Sequence, residues 1–337
     1  MAKVLLISTL GTGSDSWPDD LARISRSASK DRFKVHSLVD DPAVADLIIF
    51  FESGDPHLAL DVRTHPYTRK FPERTFLIDT SDRVIPFLPG IYPSIQKWQY
   101  DRSRVRSGSY PEVFDYHWIS FDPHGKPPEL LFSFVGDLRG TRLRQAIGTL
   151  SHPRSILRDT SGDPAYFHGC PSNLQARFRT EFSEVIMNSK FTLCPRGDGA
   201  STLRIFETMK AGRVPVIIAD DWVAPEGPTW NSFSIIVKEA DVRLIPNILE
   251  QCEQSASAMG LIAREQWDEW FSEAVSFHRI VEWCLSIMRS RRMPERYMRT
   301  LVLWQLLEPF HFRRKLVPGI RDFLRIRHSQ ESSGRLG

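Results

Sequence analysis

Short apolar runs recur along this chain, and most of them are followed by a polar or glycine-containing loop and then by an amphipathic stretch. This order of strand, loop and helix is typical of α/β proteins with parallel sheets. The runs that predict strands are residues 3–8, 34–39, 46–51 and 75–79, and then 130–135, 155–158, 191–194, 214–218 and 233–237. The proline-rich run 123–128 has the composition of a linker and separates the two groups. The pattern therefore predicts two Rossmann-like domains.

The same pattern predicts the helices and the domain boundaries. Amphipathic helices are expected over residues 141–150 and 172–188. The long helical remainder carries apolar side chains at mostly helical spacing, which favours a core role over a stacking surface. These are Trp267, Trp270, Phe271, Phe277, Ile280 and Trp283. We place one Rossmann-like domain at residues 1–128, a second at 129–295, and C-terminal helices that dock on the body, with a basic tail, at 296–337.

Residues 190–218, KFTLCPRGDGASTLRIFETMKAGRVPVII, predict a strand, a loop, a helix and a second strand. Ser201 or Thr202 can cap the helix, and Gly212 can end it. A glycine-containing loop before a helix directs unpaired backbone N–H groups and the positive end of the helix dipole at an anion. We therefore predict an anion site here, with phosphate as the expected ligand.

Polar residues follow the strands of the first domain, where the carboxyl ends of parallel strands form a ligand-binding edge. The candidates for acid or base chemistry at this edge are Asp55, His57, Asp79 and Asp82. Residues of these types are also common as helix caps or in turns, so that interpretation stays open. The run Gly11-Thr12-Gly13 lacks the third glycine of a dinucleotide-binding loop, which favours a plain tight turn or an acceptor-side loop.

Composition narrows the class of protein. The 337 residues, 41% of them hydrophobic, can bury a sizeable core, and a net charge of +3 with Lys and Arg spread along the chain argues against a nucleic-acid-binding module. The four cysteines lie far apart, which argues against a disulfide framework or a zinc knuckle and favours reduced thiols. No apolar run reaches the 18 residues of a membrane span. We expect a soluble, cytoplasmic protein.

Two basic segments suggest surfaces. Residues 85–116 are rich in Pro, Gly, Tyr and Arg and predict a long irregular surface segment. Its basic cluster of Arg102, Arg104 and Arg106 is expected either to grip an acceptor or to form a solvated loop. Beyond residue 289, apolar residues alternate with Arg and Lys. This tail is expected to expose a basic face, and peripheral contact with the inner face of a membrane is the alternative.

The run PRGDGASTLRIFETMKAGRVPVIIADDWVAPEGPTWNSFSIIVKEADV resembles the signature block of exostosin-type glycosyltransferases. LLFSFVGDLRGTRLR resembles the strand and glycine loop that open the donor domain of that family, and TSDRVIPFLPGIY resembles its acceptor-side segment. The resemblance covers residues 75–245. It implies an α/β fold of GT-B type, in which a first acceptor domain and a second nucleotide-sugar donor domain face each other across a cleft. It also implies an inverting transfer.

The resemblance and the residue chemistry assign the same donor site. Arg204, Glu207 and Thr208 share one helix face, and Glu207 can accept hydrogen bonds from a ribose diol. Arg196 and Arg204 can hold the diphosphate in charge-assisted pairs. The other residues expected to bind the donor are Gly197, Asp198 and Ser201 of the loop, Gly136 and Arg139 of the earlier glycine loop, and Asp220 after the next strand. The alternatives are a structural Arg–Glu pair, a turn residue at 198 and a cap at 220.

An inverting transfer needs a general base that deprotonates the acceptor hydroxyl. With the donor on the second domain, the base is expected from the first, and the candidates are Asp82 and then Asp55. No spaced acidic pair is placed to hold a metal between a nucleotide and its sugar, so we expect no metal requirement. No cofactor is expected either, because the nucleotide sugar is a substrate.

The predicted function is therefore a metal-independent, inverting glycosyltransferase. We expect a UDP- or GDP-linked donor and a glycan or lipid-linked acceptor, in surface polysaccharide or glycoconjugate synthesis. The sequence shows no membrane anchor and no second catalytic module, unlike the animal members of the family, which favours a small cytoplasmic enzyme. Two other classes stay open. One is a catalytically silent subunit that binds a nucleotide sugar or glycan, and the other is a nucleotide-sugar epimerase on the same scaffold.

Overall fold

The computed structural model describes residues 1–9, 20–52, 61–82, 84–163 and 172–301. Several predicted features lie outside these described residues, namely Asp55, His57, the Gly11-Thr12-Gly13 run and the basic tail beyond residue 301. The described residues form two parallel sheets.

Six parallel strands in the order β2-β1-β3-β4-β5-β6 form the first sheet. Their bounds are β1 Lys3–Ile7, β2 Ser37–Leu38, β3 Leu47–Glu52, β4 Thr75–Asp79, β5 Gly90–Ile91 and β6 Val105–Arg106. β3 and β4 are buried along their full length, which is typical of parallel strands covered on both faces. Glu52 pairs in register with Asp79, so the carboxyl ends of the two strands meet at one edge.

The second sheet has five parallel strands in the order β11-β10-β9-β7-β8. Their bounds are β7 Leu130–Gly136, β8 Ser155–Asp159, β9 Ser189–Pro195, β10 Val214–Ile218 and β11 Ile235–Val237. The chain passes from β7 to β8 on one side and then returns to β9 on the other. The strand order therefore reverses between the carboxyl ends of β7 and β9, which is where open α/β sheets bind ligands. Gly136 and Pro195 end these two strands.

Helices cover the sheets and connect them. Their bounds are α1 Asp20–Ser29, α2 Pro66–Lys70, α3 Arg142–Gly148, α4 Ser172–Met187, α5 Leu203–Lys210, α6 Ile245–Cys252, α7 Ala256–Trp270, α8 Glu273–Ser290 and α9 Glu295–Leu301. The long helix α8 returns to the first sheet and packs against α1. There the Ser27 hydroxyl donates to the Glu273 carbonyl at 2.5 Å and accepts from the Phe277 amide at 3.0 Å. None of the helices in the described ranges has the length and hydropathy needed to span a bilayer.

The predicted fold class is confirmed. The chain is an α/β protein with two parallel-sheet, Rossmann-like units and C-terminal helices, which is the arrangement expected of the GT-B type. β4 and β10 have the predicted bounds, whereas β2 and β11 are shorter than predicted. The domain boundaries stay predictions. The first sheet lies within residues 3–106 and the second within 130–237, while α8, which we had placed in the second domain, contacts α1 in the first.

The prediction of an irregular surface segment over residues 85–116 is wrong. This segment contributes β5, β6 and the 3-10 turn Pro111–Asp115, and most of it is buried. Arg104 pairs at 2.7 Å with the fully buried Glu295, and the Arg106 side chain is 1% exposed and lies 3.4 Å from Glu226. Of the three arginines only Arg102 is mostly exposed. The sequence did not reveal this burial, because the acidic partners of the cluster lie more than 100 residues away in sequence.

The predicted core role of the C-terminal aromatic residues is confirmed. Trp267, Phe271, Phe277, Ile280 and Trp283 are buried in one cluster that also contains apolar residues of α5. Trp270 is partly buried and carries the Arg279 guanidinium 3.8 Å from its ring centroid. The helices after β11 therefore pack against the apolar face of α5.

Candidate functional site

A glycine-containing loop joins β9 to α5 at the point where the strand order of the second sheet reverses. Thr202 caps α5, and its side-chain oxygen accepts from the Arg204 amide. Gly212 follows the helix with φ +64°, a left-handed conformation that glycine adopts without steric cost. Both ends of α5 are therefore defined by the local sequence. The backbone N–H groups of the loop lie just before the positive end of this helix.

Arg204 is held in one position on the first turn of α5. Its guanidinium lies between two aromatic rings, 5.0 Å from the centroid of Phe134 and 4.9 Å from that of Phe182. Nη1 donates to the Val135 carbonyl, and Nε lies 3.6 Å from Glu207 Oε2. Cation–π contacts and a charge-assisted hydrogen bond thus keep one positive charge beside the end of β7.

Glu207 lies one turn further along α5 and is enclosed by protein, with 9% of its side chain exposed. Burial raises its pKa to about 7, the Arg204 charge opposes this shift, and the negative charge of Glu112 adds to it. Glu112 lies on the 3-10 turn Pro111–Asp115 and accepts a hydrogen bond from the Tyr116 hydroxyl. The charge of Glu112 therefore acts on Glu207 from a different segment of the chain.

Arg196 and Asp220 meet through a residue that the sequence analysis missed, Glu239. Arg196 makes two hydrogen bonds to the Glu239 carboxylate, at 2.6 and 3.0 Å. Asp220 Oδ1 accepts from the Glu239 amide at 3.1 Å, and the Asp220 amide donates back to Glu239 Oε1 at 3.3 Å. This bidentate network fixes the first residue of the loop against the ends of β10 and β11.

The earlier glycine loop, after β7, faces the same region. A Cβ added to Gly136 would lie 2.8 Å from the Phe134 ring and 3.4 Å from Arg204 Nη1, so only glycine fits without a shift. Asp137 accepts from the amides of Arg139 and Gly140 at 2.7 and 3.0 Å, as a turn residue does. Arg139 is 77% exposed and pairs with Asp159 at 2.9 Å, so it lies at the rim of the site.

The comparison with known proteins finds one family. Residues 109–252 match the Exostosin GT47 domain. This confirms the family resemblance inferred from the sequence.

The chain is similar to curated exostosins over part of its length. An Exostosin-1 homolog of Caenorhabditis elegans is 44% identical over 73 residues, which are 21% of this chain and 19% of that protein. Exostosin-1b of Danio rerio is 30% identical over 130 residues, 37% of this chain and 17% of that protein, and Exostosin-1 of Drosophila melanogaster is 27% identical over 142 residues, 40% and 18%. The matched segment is thus less than a fifth of each relative.

Solved structures of glycosyltransferases are similar to the chain at low identity. A glycosyltransferase from Rickettsia africae is 12% identical with a TM-score of 0.42, covering 85% of this chain and 98% of that one. Anabaena Alr3699/HepE in complex with UDP is 11% identical with a TM-score of 0.39, covering 85% and 100%.

The loop between β9 and α5 contacts residues that follow β4 and β5 of the first sheet. A Cβ added to Gly199 would lie 2.5 Å from the Asp82 carbonyl oxygen and 2.6 Å from Ser94 Oγ. Ser94 in turn shares a 2.9 Å hydrogen bond with the hydroxyl of the buried Tyr110. Asp82 is exposed and follows β4, and its backbone lies against Gly199. The residue predicted as general base is therefore next to the loop between β9 and α5, which is the predicted donor loop.

The other end of α5 is also anchored, by a residue that the sequence analysis missed. Lys210 Nζ donates to the carbonyls of Val113 and Tyr116 at 2.9 Å each and to that of Phe114 at 3.5 Å. Burial lowers the pKa of Lys210 to about 8, and the nearby positive charge of Arg264 adds to this shift. Three converging carbonyls are a signal that only tertiary structure reveals, because the turn lies more than 90 residues earlier.

The predicted site residues fall into distinct groups. Those gathered at the switch point are Gly136, Arg204 and Glu207, while Arg196 and Asp220 join through Glu239. Gly197 lies close to the Arg144 guanidinium, Asp198 is exposed, and Ser201 is buried near Tyr110. Asp79 accepts from the Ser81 amide at 2.9 Å, as a turn residue would. The role of each in donor binding stays a prediction.

Proposed function

We propose that this chain transfers a sugar from a nucleoside diphosphate sugar to an acceptor hydroxyl, with inversion at the anomeric carbon. The exostosin GT47 domain supports a glycosyltransferase activity. The observation that carries the proposal is the Arg204–Glu207 pair, which begins α5 below the glycine loop at the strand-order reversal. An arginine and a carboxylate at such a position match the two ends of a nucleoside diphosphate, its phosphates and its ribose.

The diphosphate is the group that leaves, and positive charge must stabilise it as the bond to the sugar breaks. Arg204 supplies a fixed charge at the end of β7, and the amino-terminal end of α5 supplies a partial charge. Arg144 adds a third, because its Nε donates to the Arg196 carbonyl at 3.3 Å beside Gly197. We infer that these groups stabilise the negative charge of the leaving diphosphate without a metal ion, so that the reaction is metal-independent.

Glu207 is the proposed ribose ligand. An ionised carboxylate accepts two hydrogen bonds, one from each ribose hydroxyl, whereas a protonated one does so less well. Because the pKa of Glu207 is raised to about 7, the proposal makes donor binding depend on pH near neutrality. Arg204 is the group that favours the ionised form, so the two residues act together.

The proposed general base is Asp82. It projects from the carboxyl end of β4, and its backbone contacts the donor loop at Gly199, so it lies in the unit opposite the donor helix. Asp55, the second candidate, lies outside the described residues. The acceptor we propose is a glycan or lipid-linked hydroxyl in polysaccharide or glycoconjugate synthesis, with the enzyme acting in the cytoplasm or at the inner face of a membrane.

A ligand screen followed by two variants tests the proposal. Thermal melting is measured with UDP-, GDP-, ADP- and CMP-sugars, because a ligand that binds only the folded state raises the melting temperature. With the best donor, Arg204→Ala should abolish the thermal shift, since it removes the charge held beside the loop. Arg154→Ala is the matched control, because Arg154 pairs with Glu253 on the surface and removes the same charge elsewhere.

Product analysis then decides the reaction. Transfer with the opposite anomeric configuration in the product, unaffected by chelators, is the expected result. Binding without transfer or donor hydrolysis would indicate a silent binding subunit, and conversion of the donor sugar without an acceptor would indicate an epimerase. If both arginine variants lose the thermal shift alike, the effect is one of net charge, and the assignment of Arg204 to the diphosphate is wrong.

A further inference from the structure

A second cluster of polar side chains lies outside the donor site, where α8 packs against the chain between α1 and β2. It consists of His36, which precedes β2, and of His278 and Glu282, which are four residues apart on α8. Residues at this spacing share one face of a helix. The cluster has no residue in common with the glycine loop or with α5.

The geometry of the cluster is that of a ligand set. One ligand atom from each of the three side chains lies within 4.8 Å of the others. His36 Nε2 lies 3.1 Å from Glu282 Oε1. A tetrahedral zinc ion with bonds of about 2.0–2.1 Å separates neighbouring ligand atoms by about 3.3 Å. Small side-chain rotations therefore bring these atoms to coordination distances.

The imidazole rings are held in place, but their polar atoms are poorly satisfied. His278 stacks on Phe33 with centroids 4.1 Å apart, and its ring centroid lies 5.0 Å from that of His36. The His36 side chain is 1% exposed. Among the residues that the structure describes, Nε2 of His36, which faces Glu282, and Nδ1 of His278 are buried and make no hydrogen bond of good geometry. Buried polar groups in native proteins are nearly always paired, so these nitrogens point to a ligand.

The cluster is also accessible to an ion. Glu282 is 41% exposed and lies 4.0 Å from Arg289, so one side of the cluster is open to solvent and an ion can enter there.

We propose that His36, His278 and Glu282 bind one divalent transition-metal ion, with Zn²⁺ as the expected species and water in the remaining position. Two imidazoles and one carboxylate are a ligand set that zinc takes in proteins. The bound ion would join the segment before β2 to α8 and so fix the helix that returns to the first sheet. The role is structural and separate from the transfer reaction.

Metal titration of the full chain tests this site directly. Protein freed of metal by chelator and gel filtration is titrated with Zn²⁺ by calorimetry, and with Co²⁺ by visible absorption, which reports tetrahedral coordination. The expected result is one ion per chain, a melting temperature that rises with Zn²⁺, and the strong visible band of tetrahedral Co²⁺.

Three variants separate this site from adventitious binding. Glu282→Gln and His278→Gln should each weaken Zn²⁺ affinity at least about tenfold, because each removes a direct ligand. The control is His124→Gln, which removes an exposed histidine elsewhere and should leave the affinity unchanged. Glu282→Gln is the safer variant, since the exposed side chain is not needed for the core, and an unchanged circular dichroism spectrum checks that it is folded. Equal affinity in wild type and Glu282→Gln, or no saturable binding at all, overturns the proposal.

Discussion

Replacing Gly199 with alanine tests whether the donor loop and the loop after β4 must touch in the working enzyme. The added Cβ would lie 2.5 Å from the Asp82 carbonyl oxygen, 2.6 Å from Ser94 Oγ and 3.0 Å from Asp82 Cα. Two of these three atoms belong to the backbone, so rotation of a side chain cannot relieve the contact. Gly199 is not among the glycines with positive φ, so the substitution adds volume without backbone strain.

The size of the effect follows from the distances. An ordinary contact begins near 3.4 Å, so the two loops must separate by the difference between 3.4 and 2.5 Å, which is 0.9 Å. Overpacking of this kind costs about 1–3 kcal/mol of unfolding free energy. A misplacement of about 1 Å at a reacting centre can lower the rate about 100-fold. We expect turnover to fall by about that factor, with a smaller loss of donor affinity, because Arg204 and Glu207 keep their own supports.

The assay measures nucleoside diphosphate release in the presence of acceptor, together with donor affinity and the denaturant midpoint. Gly125→Ala is the control, because its nearest neighbour is Asp122 Oδ2 at 3.1 Å, a side-chain atom on the surface that can move away. Wild-type turnover and stability in Gly199→Ala would refute the reasoning. So would an equal loss of turnover in Gly125→Ala.

Three further predictions concern single side chains. Asp82→Asn should abolish transfer while donor affinity stays within about twofold, since the base acts on the acceptor; turnover near wild type would remove Asp82 from this role. Glu207→Gln should flatten the pH dependence of both donor affinity and stability. The raised pKa favours the protonated acid in the fold, so wild-type stability is lost as pH rises from about 5 through 7, and an unchanged slope in the variant would exclude Glu207 as the cause. Lys210→Met should lower the unfolding free energy by about 2 kcal/mol, because it leaves buried carbonyls unpaired; unaltered denaturant midpoints would contradict this.

The positions of the proposed donor residues on α5 could be predicted from sequence because their signals are local. The Thr202 cap, the Gly212 stop and the spacing of Arg204 and Glu207 all lie within one strand-loop-helix-strand unit, and the structure shows each where it was predicted. The bounds of β10 could be predicted for the same reason, because a buried parallel strand is an unbroken apolar run in the sequence.

The partners of these residues could not be predicted, because they come from elsewhere in the chain. Arg196 is paired with Glu239, which lies 43 residues further on. Arg104 was expected on the surface, and its burial depends on Glu295, which lies 191 residues away. Sequence analysis predicts that a charged residue is exposed unless its partner is known, because burial of an unpaired charge is unfavourable. Predictions of exposure for arginine clusters therefore fail wherever tertiary structure supplies the carboxylate.

The two ends of α5 show how the halves of the molecule are coupled. At its amino-terminal end the helix is preceded by the loop that touches Asp82, and at its carboxyl-terminal end Lys210 holds the turn Pro111–Asp115. That turn carries Glu112, whose negative charge adds to the effect of burial in raising the pKa of Glu207 in the middle of the helix. Under the proposed function, a change in the ionisation of Glu207 on donor binding would alter its interaction with this turn, which follows the last strand of the first sheet. The proposed donor and acceptor sides would then meet along a single helix of eight residues, and we expect a substitution at either end of it to act on both.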